Sequence, residues 1–95
     1  MTHRFPTLSP DQREVLLAMP GQDHWASGDV IPWARDQARD CGLPVERWRS
    51  CARALVAAGL ATYGPLFSDD GAAAGSSYWR TIKGDQLAAQ IESGA

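Results

Sequence analysis

The stretch Ala34–Arg53, ARDQARDCGLPVERWRSCAR, with ALVAAGLAT after it, decides the reading of this chain. It reads as a helix, a tight turn, a second helix and then a strand. Ala38, Gly42 and Trp48 fall at helix-turn-helix spacing: a small residue where the helices cross, a glycine in the turn, an apolar anchor on the second helix. Such a unit can set its second helix in the major groove of duplex DNA.

Around that unit the chain is short. Its 95 residues make one small domain, 1–95, with no room for a separate catalytic or sensing domain. The hydrophobic fraction of 44% and charged fraction of 21% are those of an ordinary globular protein. No apolar run reaches membrane-spanning length, and MTHRFPTLSP at the start lacks the apolar core of a signal peptide, so a cytoplasmic location is expected. Cys41 and Cys51 form no CxxC, and His3 and His24 are remote from them; two free thiols are expected, and neither metal nor cofactor is implied.

The formal net charge of −2 counts against a nucleic-acid partner, but its distribution does not. Between Arg35 and Arg53, five arginines (35, 39, 47, 49 and 53) outnumber the acids Asp36, Asp40 and Glu46. Local field, more than total charge, steers a polyanion.

Ser9-Pro10-Asp11-Gln12 is a helix start: Ser9 caps, Pro10 suits the first position, and Gln12 completes a capping box. Val15, Leu16 and Met19 form the inward stripe of this first helix, and Pro20-Gly21 ends it. Trp25 is expected to plug the core from a connector. A second helix starts at Ser27 or Asp29, buries Ile31, Ala34, Ala38 and Cys41, and leaves Val30, Trp33 and Gln37 on its outer face. Gly42 stops it.

The third helix, about 44–58, gathers Val45, Trp48, Ala52, Leu55 and Val56 on its inner side. Glu46, Ser50, Arg53 and Ala57 point outward, flanked by Arg47 and Arg49. After Gly59 the chain turns to strand formers, with Pro65 confining residues 60–67 to an edge or a bulge. SDDGAAAGSS, 68–77, reads as a flexible loop, and 78–82 as the returning strand. Thr81 caps a last helix lined by Leu87, Ala88 and Ile91. The ends, 1–7 and 93–95, are expected to be disordered.

Three passages now carry a resemblance: the helix-turn-helix with Ala38, Gly42 and Trp48; Leu55-Val56-Ala57-Ala58-Gly59-Leu60; and Tyr78-Trp79-Arg80-Thr81-Ile82-Lys83-Gly84. In order and spacing the chain resembles the winged helix-turn-helix domains of bacterial MarR- and PadR-type transcription regulators, from about Val15 to Ile91. The resemblance implies an α+β winged helix: a three-helix core, a β-hairpin wing and a C-terminal helix. It departs from the pattern at Arg80, where an apolar residue is usual; at Trp48, which is bulky for its place; and at the wing tip, where Asp69 and Asp70 stand instead of basic residues. The long dimerisation helices of the MarR type are also missing.

The implied function is sequence-specific binding of double-stranded DNA as a small transcriptional regulator, the third helix lying in the major groove. Arg47, Arg49, Ser50 and Arg53 are the base-contacting candidates, since arginine bonds guanine bidentately. Arg35 and Arg39, one turn apart, are the phosphate candidates. A weak homodimer using Leu87, Ile91, Phe5 and Leu8 would supply two half-site readers. The competing expectations are a solvated arginine face with local ion pairs, and a winged-helix protein-interaction module that does not bind DNA. No nucleophile–base pair or phosphate loop is recognisable, so no enzyme is expected.

Overall fold

The computed structural model describes residues 7–23, 34–68 and 70–94. Trp25, Ile31, Trp33, Asp69, both histidines and Phe5 lie outside the described residues, and with them the expectations about the core plug and the start of the second helix.

Helix α1, Pro10–Ala18, starts as its sequence dictates. The Ser9 hydroxyl accepts from the Gln12 backbone N–H at 3.2 Å, and the Gln12 side chain accepts from the Ser9 N–H at 3.0 Å. Val15 and Leu16 on α1 and Met19 just beyond it are buried. Helix α2, Ala34–Cys41, ends at Gly42, whose φ of +77° is a left-handed conformation that other residues adopt only at a cost. Helix α3, Val45–Ala57, buries Trp48, Cys51, Ala52 and Leu55. It closes in a Schellman motif: the Gly59 N–H bonds the Val56 carbonyl and the Leu60 N–H the Leu55 carbonyl, with Gly59 at φ +78°. Val45, expected on the inner side, is 48% exposed, because the first turn of α3 overhangs an open groove rather than another helix.

Strands β1, Ala61–Phe67, and β2, Ala73–Arg80, form an antiparallel hairpin. Tyr63 pairs with Tyr78 and Gly64 with Ser77, and the register slips between Pro65 and Phe67, where proline cannot donate to the ladder. The returning strand therefore begins at Ala73, not Tyr78, and the connecting loop is 68–72 rather than 68–77. Ser77, expected in the loop, is fully buried. It accepts a 2.7 Å hydrogen bond from the Gln37 side-chain amide, which also donates to the Tyr78 carbonyl at 3.0 Å. Gln37 is thus buried against β2, not displayed on the outside of α2.

Helix α4, Ile82–Glu92, starts at Thr81, whose hydroxyl accepts from the Gly84 N–H and donates to the Gly59 carbonyl. Of the ends expected to be disordered, 1–6 and 95 lie outside the described residues; Ser93 and Gly94 close α4, their N–H groups bonding the Ala89 and Ile91 carbonyls. Leu87 and Ala88 pack into the core, and Ile91 and Leu8 lie against it. Of the apolar residues expected to serve a homodimer, Leu87 is only 7% exposed, Leu8 and Ile91 are half-buried, and Phe5 lies outside the described residues.

Arg80 departs from the apolar pattern for a visible reason. Its guanidinium pairs with Asp85 at 2.9 Å, its N–H bonds the Pro20 carbonyl, and its carbonyl accepts from the Gln22 side chain. Asp85 in turn accepts from the Gln22 N–H at 3.0 Å. The pair pins the chain leaving α1 to the junction of β2 and α4. Together these elements make a small α+β domain in the layout of a winged helix, with the core shared between α1, Ala38 of α2, α3, α4 and the base of the hairpin.

Candidate nucleic-acid interface

Helix α3 turns two different sides to solvent. Glu46, Ser50, Arg53 and Ala57, at helical spacing, form its outermost row, and all are exposed. Val45, Arg49, Arg53 and Val56 form a second row that faces the hairpin across a groove of about 540 Å³. Tyr63, Ser76 and Tyr78 make the opposite wall, and Trp48 of α3 and Arg35 of the first turn of α2 complete the lining.

The hairpin wall is fixed by its own contacts. The Tyr63 hydroxyl and the Ser76 hydroxyl are hydrogen-bonded at 2.8 Å. The Tyr63 ring leans on Tyr78 with centroids 4.7 Å apart and planes at 49°. Tyr78 is held by Trp48, edge-on at 5.4 Å and 82°, a favoured aromatic geometry.

The six candidates do not act as one set. Arg35, Arg49 and Arg53 come together around the groove, and no acidic residue is among the described residues that line it. Neither Arg49 nor Arg53 is paired with a carboxylate among the described residues. Ser50 stands on the outer row beside Arg53. Arg47 is turned to the far side of α3, where its guanidinium meets Asp11 of α1 at 3.2 Å. Arg39 is held by Asp36 at 3.1 Å and by Asp40 at 3.9 Å. Of the two, only Arg39 shows the solvated, locally paired state that was the competing expectation; the partner of Arg47 stands on another helix, 36 positions away. Such exposed pairs stabilise by about 0–1 kcal/mol, so they bias the side chains without locking them.

Sequence reasoning missed Val45, Val56, Tyr63, Ser76 and Tyr78 as groove residues. The alternation of Tyr63 with Pro65 and Phe67 was the available signal, but it has no direction until the register with β2 is known.

The hairpin tip carries charge of the opposite sign. The Asp70 carboxylate accepts from the Ser68 hydroxyl and from the Ala72 N–H, which hold its pKa below the usual range and keep the hairpin tip negative. Behind the site, Cys41 and Cys51 are free thiols. Burial, first, pushes both up in pKa; Glu14 and Asp11 add to the rise at Cys41, and Asp11 outweighs Arg47 at Cys51.

No described helix is long and apolar enough to cross a membrane. No family model matches the chain, and none of the curated proteins does. Among solved structures, it is similar to a protein from Ralstonia eutropha JMP134 to which DNA binding is provisionally ascribed, with 29% sequence identity and a TM-score of 0.63. The match covers 90% of this chain and 98% of that one, so the two share one backbone arrangement over nearly their whole lengths.

Proposed function

We propose that the protein binds double-stranded DNA sequence-specifically, as a small transcriptional regulator, with α3 in the major groove. The observation that carries the reading is the convergence of Arg35, Arg49 and Arg53 on one side of an exposed helix, with no acid among the described lining residues. The similar protein from Ralstonia eutropha supports it. In this reading Arg53 and Ser50, on the outer row, meet base edges, while Arg35 and Arg49 meet phosphates. Arg47 and Arg39 reach DNA only by leaving Asp11 and Asp36. The role is one of binding, without catalysis.

The competing reading, a protein-interaction module, is favoured by one observation: the hairpin carries the ionised Asp70 at its tip and an exposed Phe67, a poor surface for phosphate. A selection from random duplexes, followed by titration at several salt concentrations, decides between them. Duplex binding should weaken linearly with log salt. Arg49→Gln should lower that slope by about 0.9 for every sequence alike, whereas Arg53→Gln should relax preference at one base position. Absence of salt-dependent binding to any duplex would sink the DNA reading.

A further inference from the structure

The groove between α3 and the hairpin is built for something that a closed duplex does not present. Tyr63 is 54% exposed, although its hydroxyl is tied to Ser76 and its ring rests on Tyr78. An aromatic side chain held at two points, with more than half its surface open, is a preorganised stacking platform. Arg49 and Arg53 of α3 and Arg35 of α2 also line the groove, and Val45 and Val56 add apolar area to it. Paired bases are stacked within a duplex and cannot lie on a protein ring; an unpaired base can. Cationic side chains that follow a backbone beside an aromatic face are the general means of holding single-stranded nucleic acid.

We infer that this groove binds a single strand of DNA, its phosphates on Arg49, Arg53 and Arg35 and one unpaired base stacked on Tyr63. The charge of the wall selects a phosphodiester strand, since three arginines and no acid occur among the described lining residues. Stacking on Tyr63 is indifferent to which base is offered, because every base has a π-face. The activity differs from duplex reading in its use of the Tyr63 ring; Arg35, Arg49 and Arg53 are shared, so the two ligands compete.

The test is titration of the full chain with a labelled oligo-dT strand of about 15 nucleotides, beside a blunt duplex and with thymidine monophosphate as competitor. Oligo-dT should bind at low salt, with Arg49→Gln and Arg53→Gln each lowering the salt slope by about 0.7. Tyr63→Ala should weaken oligo-dT by about ten-fold or more, Tyr63→Phe, which keeps the ring but loses the tie to Ser76, should weaken it less, and neither should change duplex binding. Thermal unfolding of both variants controls for the fold. Failure of oligo-dT to bind, or binding indifferent to Tyr63→Ala in a folded variant, overturns the inference. Equal affinity for the mononucleotide also overturns it, since the groove would then hold a small molecule rather than a strand. Oligo-dT binding without duplex binding would leave this inference standing and remove the duplex reading; the reverse result would do the opposite.

Discussion

Gly84 of α4 lies directly against the backbone of Leu60, where a β-carbon would run into the Leu60 carbonyl oxygen. That oxygen also accepts the Thr81 N–H at 3.1 Å, so the start of α4 and the end of α3 meet with no side chain between them. Gly84→Ala has no flexible neighbour to displace. It should destabilise the fold by about 1–3 kcal/mol or more, read as a lowered urea midpoint. At Gly42, where a β-carbon meets nothing within 4 Å, alanine should cost only the left-handed conformation, about 1–2 kcal/mol.

Trp48 is 3% exposed, and its ring joins α3 to the hairpin through Tyr78. Trp48→Ala should cost about 3–5 kcal/mol. Trp48→Phe should cost less, by keeping an aromatic edge on Tyr78. Denaturant titration of both variants checks the order; equal stability of Trp48→Ala and wild type would contradict the packing described.

Arg47 and Arg49 are two residues apart and should behave unlike each other. Arg47→Gln removes an exposed pair with Asp11 and should change stability by less than about 1 kcal/mol, an effect that salt abolishes. Its effect on nucleic-acid affinity should be smaller than that of Arg49→Gln, which faces the groove. A double-mutant cycle with Asp11→Asn measures the pair itself.

The thiols give a pH dependence of known sign. Burial raises the folded-state pKa of Cys41 and Cys51 above the unfolded value, so each contributes stability that is complete below the unfolded pKa. That contribution is lost as pH rises through the folded pKa. The free energy of unfolding should therefore fall on the alkaline side more steeply in the wild type than in a Cys41→Ser, Cys51→Ala variant. At neutral pH the buried Cys51 should react slowly with a maleimide and quickly once urea unfolds the chain, with the half-buried Cys41 reacting faster than Cys51 in the folded protein.

What the sequence made legible was local. The caps of α1 and α4, the stops at Gly42 and Gly59 and the inward residues of α1 and α3 each depend on neighbours within a turn. What it hid depends on partners far along the chain. Gln37 reads as a surface residue until Ser77, 40 positions away, supplies its hydrogen bond. AAGS before Ser77 reads as loop because small residues show no buried pattern, yet pairing with β1 extends the strand through it. Arg80 looks misplaced until Pro20 and Asp85 are beside it. At the candidate site, the basic character of α3 was visible from composition. The division of its arginines between an ion-paired side and a groove side was not, since it turns on where α1 and the hairpin sit.

Tyr78 touches Tyr63 on one side and Trp48 on the other, so three rings run unbroken from the open groove to the core. Rings that pack are also chromophores, and tryptophan emission is sensitive to the aromatic edge beside it. The chain has four tryptophans; with the other three replaced by phenylalanine, its fluorescence would belong to Trp48 alone. An occupant leaning on Tyr63 would tilt Tyr78 and shift that emission, so the molecule carries an optical probe of its own groove, readable without a label.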